Sequence, residues 1–445
     1  MIGSHKIDFE IYQDGKKREF TDSVLSKMQL TKNASQNYGS FILTLAERYY
    51  EGDFIDEISC NAMVNIFVDD KIEMQGVLVK PTDTGQASMQ SNSFKRNVIF
   101  RGFDFGYILQ ELTKLYAKFT NAYQRAEAEA VEKMATIYAG NKDGTGRFVA
   151  DQTPGIYRVF MEALKDINEG QEYVFGDGET ISQKFGEAGA DLFFFDESKN
   201  FYVNAPLSIQ LLQDNISVYE HIKRIANADF SDVYGDAYDP EDPIGTGWDR
   251  VSDKGKVVYR KANNGKKYYR LVVRPKMLGR NWYKNVTVEL EDIHSQYSAM
   301  KDNSMIRNYF VVGNVIGLGM TEMEATGQIA KDVNSIKNFG YKPLKIDLNS
   351  VYDKADVTKL SLELANELKN WYKNSENFLY GQLSTPYARN ARIGRRARFK
   401  LPKKSTFYDG YIDQMETIAD AEQNRMHQVV TYSRALKVDP SRGRA

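Results

Sequence analysis

"DVNSIKNFGYKPLKIDLNSVYDKADVTKLSLELANELKNWYK", Asp332 to Lys373, stands in the middle of β-like sequence. It opens with short polar side chains and a glycine and closes in an amphipathic helix. Val357, Leu360, Leu364, Leu368 and Trp371 recur at i, i+3, i+7, i+11 and i+14, a single apolar stripe at the helical period. Asp353 or Asp356 is placed to cap a helix over 354–373. One stripe needs one packing surface, most simply the sheet formed by the strands flanking it in sequence. Asp332 and Ser335 offer local hydrogen-bonding groups suited to turns. Gly340 adds backbone freedom that a β-carbon would restrict. The stretch holds no nucleophile, metal box or phosphate loop, so it reads as a joint between strands and a helix.

The sequence on both sides reads as β. "SFILTLAERYY" (Ser40 to Tyr50) precedes "NAMVNIFVDDKIEMQGVLVKP" (Asn61 to Pro81), where Ala62, Val64, Ile66 and Val68 recur at period two. "DDK" turns the chain, and Ile72 and Met74 continue on a return strand, a hairpin pattern. "RNVIFRGFDFGYIL" (Arg96 to Leu109) predicts a strand that runs into a helix near Phe105 to Lys118. After the middle of the chain, "VTVELEDIHSQY", "IRNYFVVGNVIGLG", "ARIGRRARFKL", "YDGYIDQMETIA" and "MHQVVTYSRALKVD" predict further strands. Between the two β blocks, residues 119–284 read as an insertion, helical first and mixed later. "NAYQRAEAEAVEKMATIYAGN" is rich in strong helix formers, and "TPGIYRVFMEALKDINEG" has a Thr cap, Pro154 at the first turn and Gly170 as a stop. "SVYEHIKRIANADF" predicts a short helix, "FSDVYGDAYDPEDPIGTGWDRVSDKGK" a turn-rich loop, and "KVVYRKANNGKKYYRLVVRP" a hairpin around Asn264-Gly265.

At 445 residues the chain exceeds one ordinary hydrophobic core, so about two to four domains are expected. A net charge of −1 argues against a whole-molecule field that grips nucleic acid or anionic membrane. The single cysteine, Cys60, allows no intramolecular disulfide and fits folding in a reducing cytoplasm. "MIGSHKIDFEIYQDGKKREF" carries no apolar segment of signal-peptide type, and runs such as "DLFFFD" are too short to span a bilayer.

Candidate chemistry is sparse. His5, His221, His294 and His427 form no metal-ligand spacing, and a solvated turn accounts for His294 among Glu289, Glu291 and Asp292. Asp232, Asp236, Asp239, Glu241 and Asp242 gather oxygen ligands without the calcium-loop spacing. "GNKDGTGRF" and "GNVIGLG" match neither phosphate-binding fingerprint, and no G-x-S-x-G elbow is present. No catalytic, metal or cofactor-binding residue is therefore assigned. The run "ARNARIGRRARFKLPKK" concentrates Arg389, Arg392, Arg395, Arg396, Arg398, Lys400, Lys403 and Lys404 without an acid. It reads as a basic strand and loop neutralised by the acidic "YDGYIDQMETIADAE" that follows, or as a basic patch at a subunit interface or channel.

The order of these segments resembles the tail (baseplate) hub proteins of bacteriophages and related contractile injection systems. Early in the chain, "GSFILTL", "NAMVNIFVDDKIEMQGVLVKPTD" and "RNVIFRGFDFGYIL" are similar to that family's opening barrel. Later, "IRNYFVVGNVIG" resembles its asparagine-plus-glycine strand. Asp332, Ser335, Ile336, Phe339 and Gly340 match its Asp-x-x-Ser-Ile-x-x-aromatic-Gly joint. The helix, the strand from Gly394 to Phe399, "DGYIDQM" and "HQVVTYSRAL" match the closing order, whereas 119–284 matches only loosely.

The resemblance implies an α+β chain with two tail-tube-type β-barrels and a helix-rich mixed insertion. The expected division is a barrel with trailing helix at 1–118, the insertion at 119–284, a second barrel with the bracing helix 354–373 at 285–438, and a polar tail at 439–445. It implies a structural, non-enzymatic virion protein without cofactor, made in the host cytoplasm. Three copies would form a ring joining a sixfold tail tube to a threefold central spike. The implied partners are itself, a tube or distal tail protein, the spike, tape-measure protein and baseplate wedge, with no specific nucleic acid and no membrane insertion. Two rival readings remain open. One is a hydrolase with its active site in 119–284; the other is a nucleic-acid module using 389–404.

Overall fold

The computed structural model describes most of residues 1–111, parts of 217–237, residues 269–275 and 287–290, and most of 297–438. The helical stretches expected within 121–170, the Asn264-Gly265 turn, His221, His294 and the polar tail lie outside the described residues.

The first block contains β1 (Ile7–Gln13), β2 (Lys16–Phe20), β3 (Leu25–Asn33), β4 (Ser40–Leu45), β5 (Met63–Val68), β6 (Lys71–Ser88) and β7 (Ser93–Asp104). A short helix α1 (Gly106–Glu111) follows. Then come β8 (Ser231–Ala237), β9 (Tyr269–Pro275), β10 (Thr287–Leu290) and β11 (Tyr297–Met300). A small unit holds β12 (Tyr309–Gly313), β13 (Val315–Ile316), β14 (Glu324–Ala325), β15 (Gln328–Lys331), α2 (Val333–Phe339), β16 (Pro343–Asp347) and α3 (Lys354–Trp371). The chain closes with β17 (Leu379–Pro386), β18 (Arg396–Lys400), β19 (Phe407–Asp420) and β20 (Arg425–Lys437).

Mostly antiparallel pairing organises these strands, and helices are few among the described residues. One 13-stranded sheet runs β11-β17-β20-β19-β3-β4-β7-β6-β5-β1-β2, with β18 and β10 branching from β19. The two ends of the sequence meet inside it: β3 pairs with β19 from Lys27↔Asp420 to Asn33↔Gln414. The sheet curls. β3 and β6 stand three places apart, about 14 Å in a flat sheet, yet Lys32 Nζ donates to the Glu73 carbonyl at 2.7 Å. On the other side, the Gly3 N–H donates to Asn424 Oδ1 at 3.0 Å, in the turn between β19 and β20.

Two cores fill the curled sheet. The first collects Ile7, Phe9, Met28, Leu43, Ile66 and Phe100, with Ala419 and Met426 arriving from β19 and β20. The second collects Leu383, Ile393, Phe399, Ile412, Val430 and Tyr432, with Ala34 arriving from the first block. Each half thus lends side chains to the other's core. Hydrophobic burial of this kind contributes about 25 cal/mol per Å² of apolar area removed from water.

Residues 231–237, expected in a turn-rich loop, are strand β8, which pairs antiparallel with β9 from Ser231↔Pro275 to Ala237↔Tyr269. Val233 and Tyr234 are buried there. Asp232 breaks the apolar pattern, and its carboxylate is buried because Tyr411 Oη donates to it. Tyr234 Oη donates to the Ile393 carbonyl at 3.2 Å, and buried Tyr219 Oη donates to the Val233 carbonyl. The apolar face of helix α3 packs on a sheet that holds β16, the strand before it in sequence, and none of the strands after it. Leu364, Ala365 and Leu368 pack on Phe310, Val312, Ala330 and Ile346, a core separate from the other two. The three-stranded sheet β15-β12-β16 supplies that surface.

Candidate functional site

Three places concentrate polar groups: the junction of the two halves, the joint beside α2, and the basic run. At the junction, Glu73 on β6 is 3% exposed, beside Lys32 and Arg392 at 4% and 3%. Lys32 Nζ lies 3.7 Å from Glu73 Oε1, and Arg392 Nη2 lies 4.0 Å from Oε2. Tyr387 Oη donates to Glu73 Oε2 at 3.1 Å. Burial, with the Glu73 carboxylate beside it, pushes the Tyr387 phenol well above its ordinary value. β3, β6 and the loop after β17 thus converge on one carboxylate. Buried charges are costly unless paired and hydrogen-bonded, so the cluster fixes which surfaces of the two halves can meet.

At the joint, Asp332 caps α2 by accepting from the Asn334 and Ser335 N–H groups, both at 3.1 Å. Gly340 ends the helix at φ 75° and ψ −176°, a region essentially restricted to glycine, and its N–H donates to the Ile336 carbonyl at 2.9 Å. Ile336 itself is half-buried. The group that ties the joint together is Asn308, fully buried just before β12. Its side chain donates to the Gly340 carbonyl at 2.8 Å and to Ser335 Oγ at 3.4 Å, and accepts from the Lys342 N–H at 2.8 Å. Sequence reasoning noted this asparagine in a strand pattern but not its role. The available signal was one amide side chain immediately before an apolar run.

The α3 face is placed as follows. Leu364 and Leu368 are buried, and Trp371 is partly buried at the helix's last residue. The helix backbone includes Val357 and Leu360, whose side chains lie outside the described residues. The C-terminal end reaches the large sheet: the Arg434 guanidinium sits 3.6 Å from the Trp371 ring centroid and 5.4 Å from that of Tyr372. Arg434 adopts φ 53°, an uncommon left-handed conformation for a non-glycine residue.

The basic run divides. Arg392 and Arg395 are both 3% exposed and point inward, with Arg395 Nη1 donating to the Asn390 carbonyl at 2.8 Å. Arg398 sits opposite Asp409 across β18 and β19 and grips it with two bonds, Nε to Oδ1 at 2.8 Å and Nη2 to Oδ2 at 3.0 Å. Arg396 Nη1 lies 3.6 Å from the same carboxylate. Lys400 is exposed and stands over the Phe407 ring, and Arg389 is half-buried. Across the adjacent strand, Arg396 and Arg398 share the one Asp409 carboxylate.

Among the described residues, no group of three or more His, Cys, Asp or Glu side chains is arranged to hold a metal ion. Among them, too, no helix is long and apolar enough to cross a membrane.

No protein-family model and no curated protein match the chain. Solved structures do. The chain is similar to the tail protein from Neisseria meningitidis MC58, with a TM-score of 0.51 at 10% identity over 96% of each chain. It is also similar to the 43 kDa tail protein of prophage MuSo2 from Shewanella oneidensis, with a TM-score of 0.50 at 11% identity over 96% of this chain and 98% of that one. The chain has the fold of phage tail proteins.

Proposed function

We propose that this chain is a structural protein of a phage or phage-like tail: a homotrimeric hub that joins the sixfold tail tube to the threefold central spike. The observation that carries the reading is the fold shared with two tail proteins over 96% of this chain. The paired cores of the curled sheet support it further. In this reading each core belongs to one tube-type barrel, within 1–118 and 285–438, and three chains present six barrels around a channel. Within 119–284, β8 packs against the second core through Tyr234. A ring of six similar barrels meets a sixfold tube on one side while keeping true threefold symmetry toward a spike on the other. Such work requires rigid frames and broad interfaces but no catalytic group, so the chain is read as non-enzymatic and without cofactor.

Partners in this reading are two further copies, a tube or distal tail protein, the spike, tape-measure protein and baseplate wedge. The location is the virion, after synthesis in the host cytoplasm. Arg389, Arg396, Arg398, Lys400, Lys403 and Lys404 are the members of the basic run left at least partly accessible to an interface or channel. Light scattering after size exclusion tests the assembly. The expected mass is three times the 50.9 kDa of the chain, alone or after co-expression with the spike. A monomer under both conditions would reject the trimer.

A further inference from the structure

The large sheet repeats itself. Its order begins β11-β17-β20-β19 and continues β3-β4-β7-β6, two runs of four strands built alike. Each run starts with a strand that pairs antiparallel with the next, β11 with β17 and β3 with β4. Each ends in a long hairpin, β19–β20 or β6–β7, closed by pairs of equal spacing, Asp420↔Arg425 and Ser88↔Ser93. On its other edge, the first part of each long strand takes a neighbour from its own half: β18 lies beside Phe407 to Tyr411, and β5 beside Lys71 to Val77. Both long strands then carry a register shift, between Ile412 and Gln414 in one and between Leu78 and Lys80 in the other.

The repeat breaks at one place. The outer part of β19, Gln414 to Asp420, takes β3 on that edge and so joins the two runs. The outer part of β6, Lys80 to Ser88, pairs only with β7 among the described residues; β8 comes close to β6 but pairs with β9. Asp83, Thr84 and Gly85 are exposed. At the other end of the sheet β11, the counterpart of β3, pairs only with β17 among the described residues. All of its residues are exposed, Tyr297 at 50% and Met300 at 58%. An open strand edge is a template for pairing with another chain, and proteins blunt such edges with charge. β2, at the far end, carries Lys16, Lys17, Arg18 and Glu19, whereas Tyr297, Ser298, Ala299 and Met300 carry no charge.

We propose that β11 of one copy pairs antiparallel with the outer part of β6 of the next copy, as β3 pairs with β19 within the chain. The repeat also fixes the register. Lys27 faces Thr44 and Ser298 faces Gln382. Those partners lie across from Ile99 and Thr431, each the same number of residues past its hairpin's closing pair. Lys27 and Ser298 therefore hold equivalent places, as do Asp420 and Ser88. Because Lys27 pairs with Asp420, Ser298 is set opposite Ser88, Ala299 opposite Ala87 and Met300 opposite Gln86. The contact is head-to-tail, and such contacts form a ring where the rotation closes. The pairing rests on the trimeric reading above and supplies its contact between copies.

The test is disulfide crosslinking of the full chain. Cys60→Ser removes the native thiol, and Ala299→Cys with Ala87→Cys then puts one thiol on each edge. Residues opposite each other in an antiparallel pair have Cα atoms about 4.5–5.5 Å apart, within disulfide reach. Mild oxidation is expected to give covalent dimers and trimers on a denaturing gel. The yield should be at least about tenfold above that of Ala299→Cys with Asp83→Cys, which lies about 13 Å out of register. Ser298→Cys with Ser88→Cys is a second pair with the same expectation. An unchanged circular dichroism spectrum checks folding, and light scattering gives the mass of each variant before oxidation. Suppose the mass is three times 50.9 kDa. If neither pair then crosslinks, or the out-of-register pair crosslinks equally, the strand pairing is overturned and the trimeric reading stands. Crosslinks confined to single chains overturn the pairing as well. Ladders beyond three copies support the pairing and reject the closed trimer. A monomer without crosslinks, alone and co-expressed with the spike, rejects both.

Discussion

Glu73 draws side chains from both halves onto one carboxylate. Removing its carboxylate leaves Lys32 and Arg392 buried around a missing partner, and breaking a buried charge cluster in this way costs about 3–5 kcal/mol. Glu73→Ala is therefore expected to lower the urea midpoint strongly. Glu73→Gln keeps the shape and should lose less. Tyrosines set a second residue-scale effect. Burial raises Tyr387 well above its ordinary value and holds Tyr380 and Tyr432 at about 12. In the unfolded chain a phenol ionises near about 10. Above that pH the unfolded state releases protons that the folded state keeps, so stability is full below about 10 and falls as pH rises through 10 toward 12. Melting temperature measured from pH 8 to 11 should decline at the alkaline end. Tyr387→Phe, less stable at neutral pH by about 1–3 kcal/mol through its lost bond to Glu73, should show a shallower alkaline decline.

Among the elements, the joint and α3 carry the sharpest expectations. Gly340→Ala meets no atom within 4 Å, so its cost comes from the backbone at φ 75° rather than from crowding. About 1–3 kcal/mol is expected, read as a lower melting temperature. Leu364→Ala opens a cavity beneath α3 and should cost about 2–5 kcal/mol, whereas Arg434→Ala should chiefly raise amide exchange in the last turn of α3. The α3 stripe, the β5–β6 hairpin and the closing strands were legible because their apolar spacing is regular. β3 was not anticipated, although it joins the halves. Its buried residues are Leu25, Met28, Leu30 and Lys32, and a register shift between Leu25 and Lys27 breaks the period of two. β8 was hidden for a related reason, since Asp232 and Gly235 read as turn residues. The joint residues Asp332 and Gly340 were visible as a cap and a breaker, but the Asn308 bonds connect segments far apart in sequence, and no local pattern reports them.

For the whole molecule, local pattern was a good guide to strands and a poor one to how the blocks meet. Apolar alternation says which face of a strand is buried, not which distant strand covers it. The β3–β19 pairing and the Glu73 cluster depend on contacts between opposite ends of the chain. The order of segments along the chain carried the likeness to tail hubs, and the shared fold with two tail proteins agrees with it. The central claim is the threefold ring of six barrel lobes. Averaged electron-microscopy images of the purified protein, alone and co-expressed with its spike, test it most directly. A trimeric hub gives end-on views with threefold symmetry, six lobes and a central hole; compact single-chain particles in both preparations would contradict it.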